Sequence, residues 1–149
     1  MKRIICDFDQ TLFSETDECW MELYHLLLEY GARKVWLWSN GIKWLRKQSL
    51  SNLQMEHIDV ENRFESDLQL ADQAIAHAIS CGYAGNPDNA ALVKRCPEDA
   101  LLIDDLASTW VAVGNSHPER TLTPEQFMQK VRSKELRLAV DKDGYLAAL

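Results

Sequence analysis

Three short apolar runs punctuate this chain, and each ends in a polar cluster. Ile4-Ile5-Cys6 runs into Asp7-Phe8-Asp9-Gln10-Thr11, Val35-Trp36-Leu37-Trp38 into Ser39-Asn40-Gly41, and Leu101-Leu102-Ile103 into Asp104-Asp105. Near-continuous apolar runs of this length suit parallel strands covered on both faces. Between them the apolar spacing turns helical. Glu15 to Tyr30 places Trp20, Leu23, Tyr24, Leu27 and Leu28 on one side and meets a stop at Gly31. Ile42 to Leu50 reads as a short basic amphipathic helix, Asp67 to Ser80 as a longer one ending at Cys81-Gly82, and Ala90 to Lys94 as one more helical segment. Strand readings fall on His57-Ile58-Asp59-Val60 and Trp110-Val111-Ala112-Val113-Gly114, with a turn at Gly85 to Asn89. Thr123-Pro124-Glu125 opens a terminal helix, with threonine as N-cap and proline at the first helical position. Asp141 to Gly144 reads as a hairpin or a loose tail. Alternating strands and helices predict an α/β fold, a three-layer sandwich with a mainly parallel central sheet. No repeat, low-complexity segment or linker interrupts it, so residues 1–149 read as one domain.

The strand ends carry the chemistry. Side chains alternate along a strand, so Asp7 and Asp9 project the same way. Paired carboxylates repel unless a cation or a proton lies between them. In open α/β sheets ligands bind at the carboxyl ends of the strands. If the three apolar strands are neighbours, Asp7, Asp9, Asp104, Asp105 and the Ser39 hydroxyl converge on one rim. Oxygen ligands of this kind suit a hard cation, Mg²⁺ rather than zinc.

Composition narrows the setting. Hydrophobic residues make up 46% of the 149 and charged residues 26%, enough for a core that needs no disulfide or metal staple. Cys6, Cys19, Cys81 and Cys96 have neither CxxC pairing nor histidines at zinc spacing; they read as reduced thiols, with Cys6 and Cys19 in the core. No cysteine is followed six positions later by arginine, which excludes a cysteine-phosphatase loop. His25, His57, His77 and His117 show no metal spacing and read as surface or packing residues. Trp36 and Trp38 share a strand face and read as core. The net charge of −7 argues against general nucleic-acid binding. Met1-Lys2-Arg3-Ile4 leads straight into a strand, without a signal-peptide pattern or a membrane-spanning run, so a cytoplasmic location is expected and no membrane partner.

Asp7-x-Asp9-x-Thr11 after one apolar strand, Ser39 after a second and Asp104-Asp105 after a third, in that order, resemble the haloacid dehalogenase-like phosphatase superfamily. The resemblance spans about the first three quarters of the chain. It implies a Rossmann-like fold and a Mg²⁺-dependent phosphomonoester hydrolase. Asp7 would attack phosphorus and become an aspartyl-phosphate, and Asp9 would act as acid and then base. Thr11 would hold the loop in shape. Ser39 would donate to a phosphoryl oxygen, with Asn40, Gly41 and Lys43 beside it in substrate binding. Asp104, the Asp7 carboxylate and the Asp9 carbonyl would bind Mg²⁺, with Asp105 a further ligand, direct or through water. The family usually has glycine at the position of Gln10. It also has a lysine or arginine that pairs with the nucleophile; Lys94 is the best candidate, ahead of Arg95 and the more remote Arg63.

Lys43, Arg46 and Lys47 form a basic cluster after Ser39, read as a solvated helix face or as a steering patch for an anionic substrate. Trp44 among them is core or a stacking surface for a base. Members of this family with small substrates often carry a cap domain. Here the stretch from Thr11 to Ser39 holds little more than one helix, and that from Gly41 to Arg95 must supply core elements, so no full cap fits. An open site suits a phosphoprotein, a nucleic-acid end or a nucleotide, or a small phosphomonoester where an oligomer supplies the lid. The competing expectations are a catalytically inactive binding module of the same fold and a phosphotransferase.

Overall fold

The computed structural model describes residues 1–39, 43–58, 94, 96–107 and 119–149, with Lys43 described by its backbone alone. Its centre is β1 (Lys2–Cys6), whose Ile4, Ile5 and Cys6 are all buried. On one side β1 pairs in parallel with β4 (Lys34–Leu37), which pairs in turn with β5 (Gln54–His57). On the other side it pairs in parallel with β6 (Ala100–Ile103), which pairs with β7 (Thr121–Leu122). The strand order β5-β4-β1-β6-β7 therefore reverses direction at β1. Such a reversal leaves a crevice at the carboxyl ends of the strands. All three apolar runs lie here as adjacent strands, in the predicted sense.

The sheet is mixed rather than purely parallel. β8 (Leu138–Val140) and β9 (Leu146–Ala148) form an antiparallel hairpin, and β9 pairs antiparallel with Lys2 and Arg3 of β1. β4 takes the same edge of β1 further along, at Ile5 and Cys6. Of the two readings of Asp141 to Gly144, the hairpin is the observed one. The Asp141 carboxylate accepts from the Asp143 and Tyr145 N–H groups at 2.8 and 3.0 Å, and Gly144 takes φ +96°.

Three helices are present among the described residues. α1 (Glu22–Glu29) buries Leu23, Tyr24 and Leu27 and ends at Gly31, which adopts φ +83°. Its start corrects the sequence reading, which placed helix from Glu15. Residues 13–20 instead form a small hairpin, β2 (Phe13–Ser14) against β3 (Cys19–Trp20). The Ser14 hydroxyl accepts from Asp17 N–H in its turn. Trp20 swings inward, stacks on Tyr24 at 4.2 Å and meets Phe13 edge-on at 5.0 Å. Strand alternation then turns Cys19 outward, so Cys19 is exposed rather than in the core, while Cys6 is buried.

α2 (Lys43–Gln48) is the short basic helix. α3 (Pro124–Arg132) carries a full capping box: the Thr123 hydroxyl accepts from Gln126 N–H at 3.1 Å, and the Gln126 amide oxygen accepts from Thr123 N–H at 3.0 Å. α1 and α3 share one large core with Ile4, Cys6, Leu101 and Ile103. A smaller cluster holds Ile5, Trp38, Cys96, Ala100 and Leu102. Trp38 is buried there, while Trp36 is only partly buried and stacks on Tyr145 at 4.6 Å. The expected elements at Asp67–Ser80, Gly85–Asn89 and Trp110–Gly114 lie outside the described residues. No described helix is long and apolar enough to cross a membrane.

The cap and the core of α3 make separable contributions. Thr123→Ala is expected to lower the unfolding free energy by about 1 kcal/mol. Phe127→Ala, which empties a fully buried position, is expected to cost about 3–5 kcal/mol. Urea unfolding of both variants checks the ranking.

Candidate metal and catalytic centre

The site is assembled by the pairing of β1 with β6. Cys6 lies in register with Ile103, and Asp7 N–H extends the ladder by donating to the Ile103 carbonyl at 2.8 Å. Asp7 and Asp104 thus leave the sheet side by side. Between them sits the Lys94 ammonium, 2.6 Å from Asp7 Oδ1 and 2.8 Å from Asp104 Oδ2. Lys94 is only 2% exposed and Asp104 is fully buried. The other oxygen of Asp104 accepts from Leu106 N–H at 2.9 Å, which shapes the turn after β6. Asp105 completes the group: Asp7, Asp104 and Asp105 each offer a carboxylate oxygen, all within 4.8 Å of one another.

The loop after β1 is a tight turn. The Phe8 carbonyl accepts from the N–H groups of Thr11, Leu12 and Phe13 at 3.3, 3.0 and 3.1 Å. Gln10 adopts φ +59°, the left-handed region that suits glycine. Glutamine holds that conformation here. Thr11 is fully buried, and its hydroxyl accepts from Asp105 N–H at 3.2 Å. The first polar cluster is thereby tied directly to the third. The Asp9 side chain is half-buried and is not part of the carboxylate group.

Ser39 is buried where β4 leaves the sheet. Asn40, Gly41, Arg63 and Arg95, and the side chain of Lys43, lie outside the described residues. On α2, the Lys47 ammonium lies 4.9 Å from the centre of the Phe13 ring. Trp44 packs on the larger core with its ring stacked on His57, so of the two readings for Trp44 the packed one is observed. Sequence reasoning expected Asp7, Asp9, Asp104 and Asp105 on one rim and Lys94 as the partner of Asp7; the structure brings together Asp7, Asp104, Asp105 and Lys94, with the Asp9 carboxylate outside the group. It missed two contacts: Thr11 to Asp105, and His57 to Ser39, whose carbonyl lies 3.1 Å from the ring nitrogen Nε2. The available signal was position alone, since His57 closes a strand on the same rim.

Charge defines what the site can do. Among the described residues three carboxylates face one ammonium, which leaves that group short of positive charge. Burial, then the neighbouring Asp104 charge, push the Asp7 carboxyl up to about 8 against the pull of Lys94. Burial and Asp104 likewise raise Asp105 to about 6. For Lys94 burial works to lower the value, but Asp7 and Asp104 overcome it and hold the ammonium above its ordinary range. The donor set is all oxygen, closely spaced and underneutralised, so it fits a hard metal ion held by Asp7, Asp104 and Asp105.

Comparison of the chain with protein-family models, curated proteins and solved structures gives no match.

Two outcomes follow from the charge pattern. Asp7 and Asp105 hold protons in the folded chain that the unfolded chain releases near pH 4. The metal-free protein therefore loses stability as pH rises from about 4 towards 8. A divalent cation replaces those protons, so Mg²⁺ raises the melting temperature more at pH 8 than at pH 5. Thermal melts in EDTA and in Mg²⁺ at both pH values check this, and equal shifts would contradict it. Separately, Lys94→Met leaves two buried carboxylates without their ammonium and is expected to cost about 3–5 kcal/mol by urea unfolding.

Proposed function

We propose that this protein is a Mg²⁺-dependent phosphomonoester hydrolase of the haloacid dehalogenase-like type, with Asp7 as nucleophile. The observation that carries the reading is the buried contact of Asp7 with Lys94 beside Asp104 and Asp105, at the strand ends where the sheet order reverses. The same reading takes the fold as a cap-less three-layer sandwich, placed in the cytoplasm.

Asp7 attacks phosphorus, the bond to the leaving oxygen breaks, and the chain carries an aspartyl-phosphate. Asp9 protonates that oxygen as it departs and then takes a proton from the water that cleaves the acyl phosphate. Lys94 holds the Asp7 carboxylate in place and neutralises charge next to the phosphoryl group. Ser39 donates to a phosphoryl oxygen, with Asn40, Gly41 and Lys43 contributing to the same pocket. Asp7, Asp104 and Asp105, with the Asp9 carbonyl, would hold Mg²⁺. When bound, Mg²⁺ supplies the positive charge that lets two anionic groups meet and keeps Asp7 ionised near neutral pH. An open rim suits a nucleotide, a nucleic-acid end or a phosphoprotein.

Turnover of para-nitrophenyl phosphate with Mg²⁺ is the test. Asp7→Asn is expected to lower kcat by about a thousandfold or more, and EDTA to abolish turnover. Asp9→Asn is expected to cost about a hundredfold or more, most of it in kcat. Activity untouched by Asp7→Asn would rule the mechanism out. Transfer of phosphate to an added alcohol in preference to water would replace hydrolysis by phosphotransfer.

A further inference from the structure

Ser39 has its backbone held on both sides. Just before it, Trp38 N–H donates to the Cys6 carbonyl on β1 at 2.8 Å. Its own carbonyl oxygen lies 3.1 Å from His57 Nε2. A carbonyl oxygen only accepts, so Nε2 carries the proton of this bond. His57 is the last residue of β5, in register with Leu37 of β4, and Ile58 N–H donates to the Leu37 carbonyl at 2.8 Å. Strand pairing therefore delivers the imidazole to the carboxyl-end rim where β4 gives way to Ser39. The ring is fixed there by Trp44 of α2, which stacks on it with centroids 5.1 Å apart and planes 7° apart. Trp44 is itself packed against the larger core.

We infer that His57 is a positioning residue, which pins the Ser39 carbonyl and so aims the Ser39 hydroxyl at the phosphoryl group. This rests on the phosphatase reading, in which Ser39 donates to a phosphoryl oxygen. A serine hydroxyl oxygen is carried on Cβ, one rotatable bond from the backbone, so the placement of the Ser39 backbone sets its reach. The Trp38 bond fixes the chain entering the residue, and the His57 bond fixes the peptide leaving it. Releasing the second lets the residue rotate. The bond to the phosphoryl oxygen is present in both the bound substrate and the transition state, so its loss moves KM rather than kcat.

Steady-state kinetics on para-nitrophenyl phosphate with Mg²⁺ separate the outcomes. His57→Phe keeps an aromatic ring on Trp44 and removes the donor. It is expected to raise KM about tenfold with kcat within about twofold of wild type. His57→Gln restores an N–H donor and recovers most of that loss, which a purely structural role for the ring would not produce. In a Ser39→Ala background, His57→Phe adds less than about twofold, because the hydroxyl it aims is gone. A wild-type KM in His57→Phe, no rescue by His57→Gln, or a full further loss on top of Ser39→Ala each overturns the inference and leaves the phosphatase reading standing. A wild type without turnover overturns that reading and this inference with it.

Discussion

Everything at the rim depends on one buried ammonium. Lys94 sits between Asp7 and Asp104, in contact with both and almost sealed from water. Each of the three groups would be costly to bury alone, and two carboxylates side by side would repel. Together they are tolerable, and their cost is met by the β1–β6 pairing that fixes their separation. The arrangement remains incomplete in charge, because Asp105 adds a third carboxylate without a second ammonium among the described residues. A structural ion pair would be expected to balance itself. A group left short of positive charge is instead suited to receiving a cation.

The surrounding loops serve that group by linking strand ends that are far apart in the chain. The Thr11 hydroxyl holds the Asp105 backbone, and the Asp104 carboxylate holds the Leu106 backbone. Neither residue is spent on packing alone. Gln10 accepts a left-handed conformation so that Phe8 can gather the next turn on its carbonyl. A residue other than glycine stands there at a modest conformational cost.

Legibility from sequence followed burial and periodicity. β1, β4 and β6 were readable because strands buried on both faces make continuous apolar runs, and their polar ends marked the rim. Thr123-Pro124 announced α3 because capping chemistry is local. The β2–β3 hairpin was hidden because Trp20, Leu23, Tyr24 and Leu27 keep helical spacing even though Trp20 lies on a strand. β7 is two residues long and too short for any period to show. The hairpin that holds β9 was one of two readings of the last residues, but its pairing with β1 escaped because that partner is at the opposite end of the sequence. Within the site the carboxylates were legible as a pattern; Lys94 was named only through the family resemblance, as the first of three basic candidates, and its second contact, to Asp104, came from the fold. The bond from His57 to Ser39 spans residues whose proximity depends on parallel strand register, which no local pattern encodes.

The hairpin that lies against the start of β1 has a further consequence. Lys2 and Ala148 lie side by side in the sheet, while Asp7 lies beyond the other end of the same strand. At about 3.3 Å per residue, roughly 16 Å of strand separates that pair from Asp7. Anything joined to the molecule next to either residue is therefore anchored on the side away from the rim. The carboxyl ends of β1, β4 and β6, with Asp7 and Asp104, lie at the opposite end of the sheet.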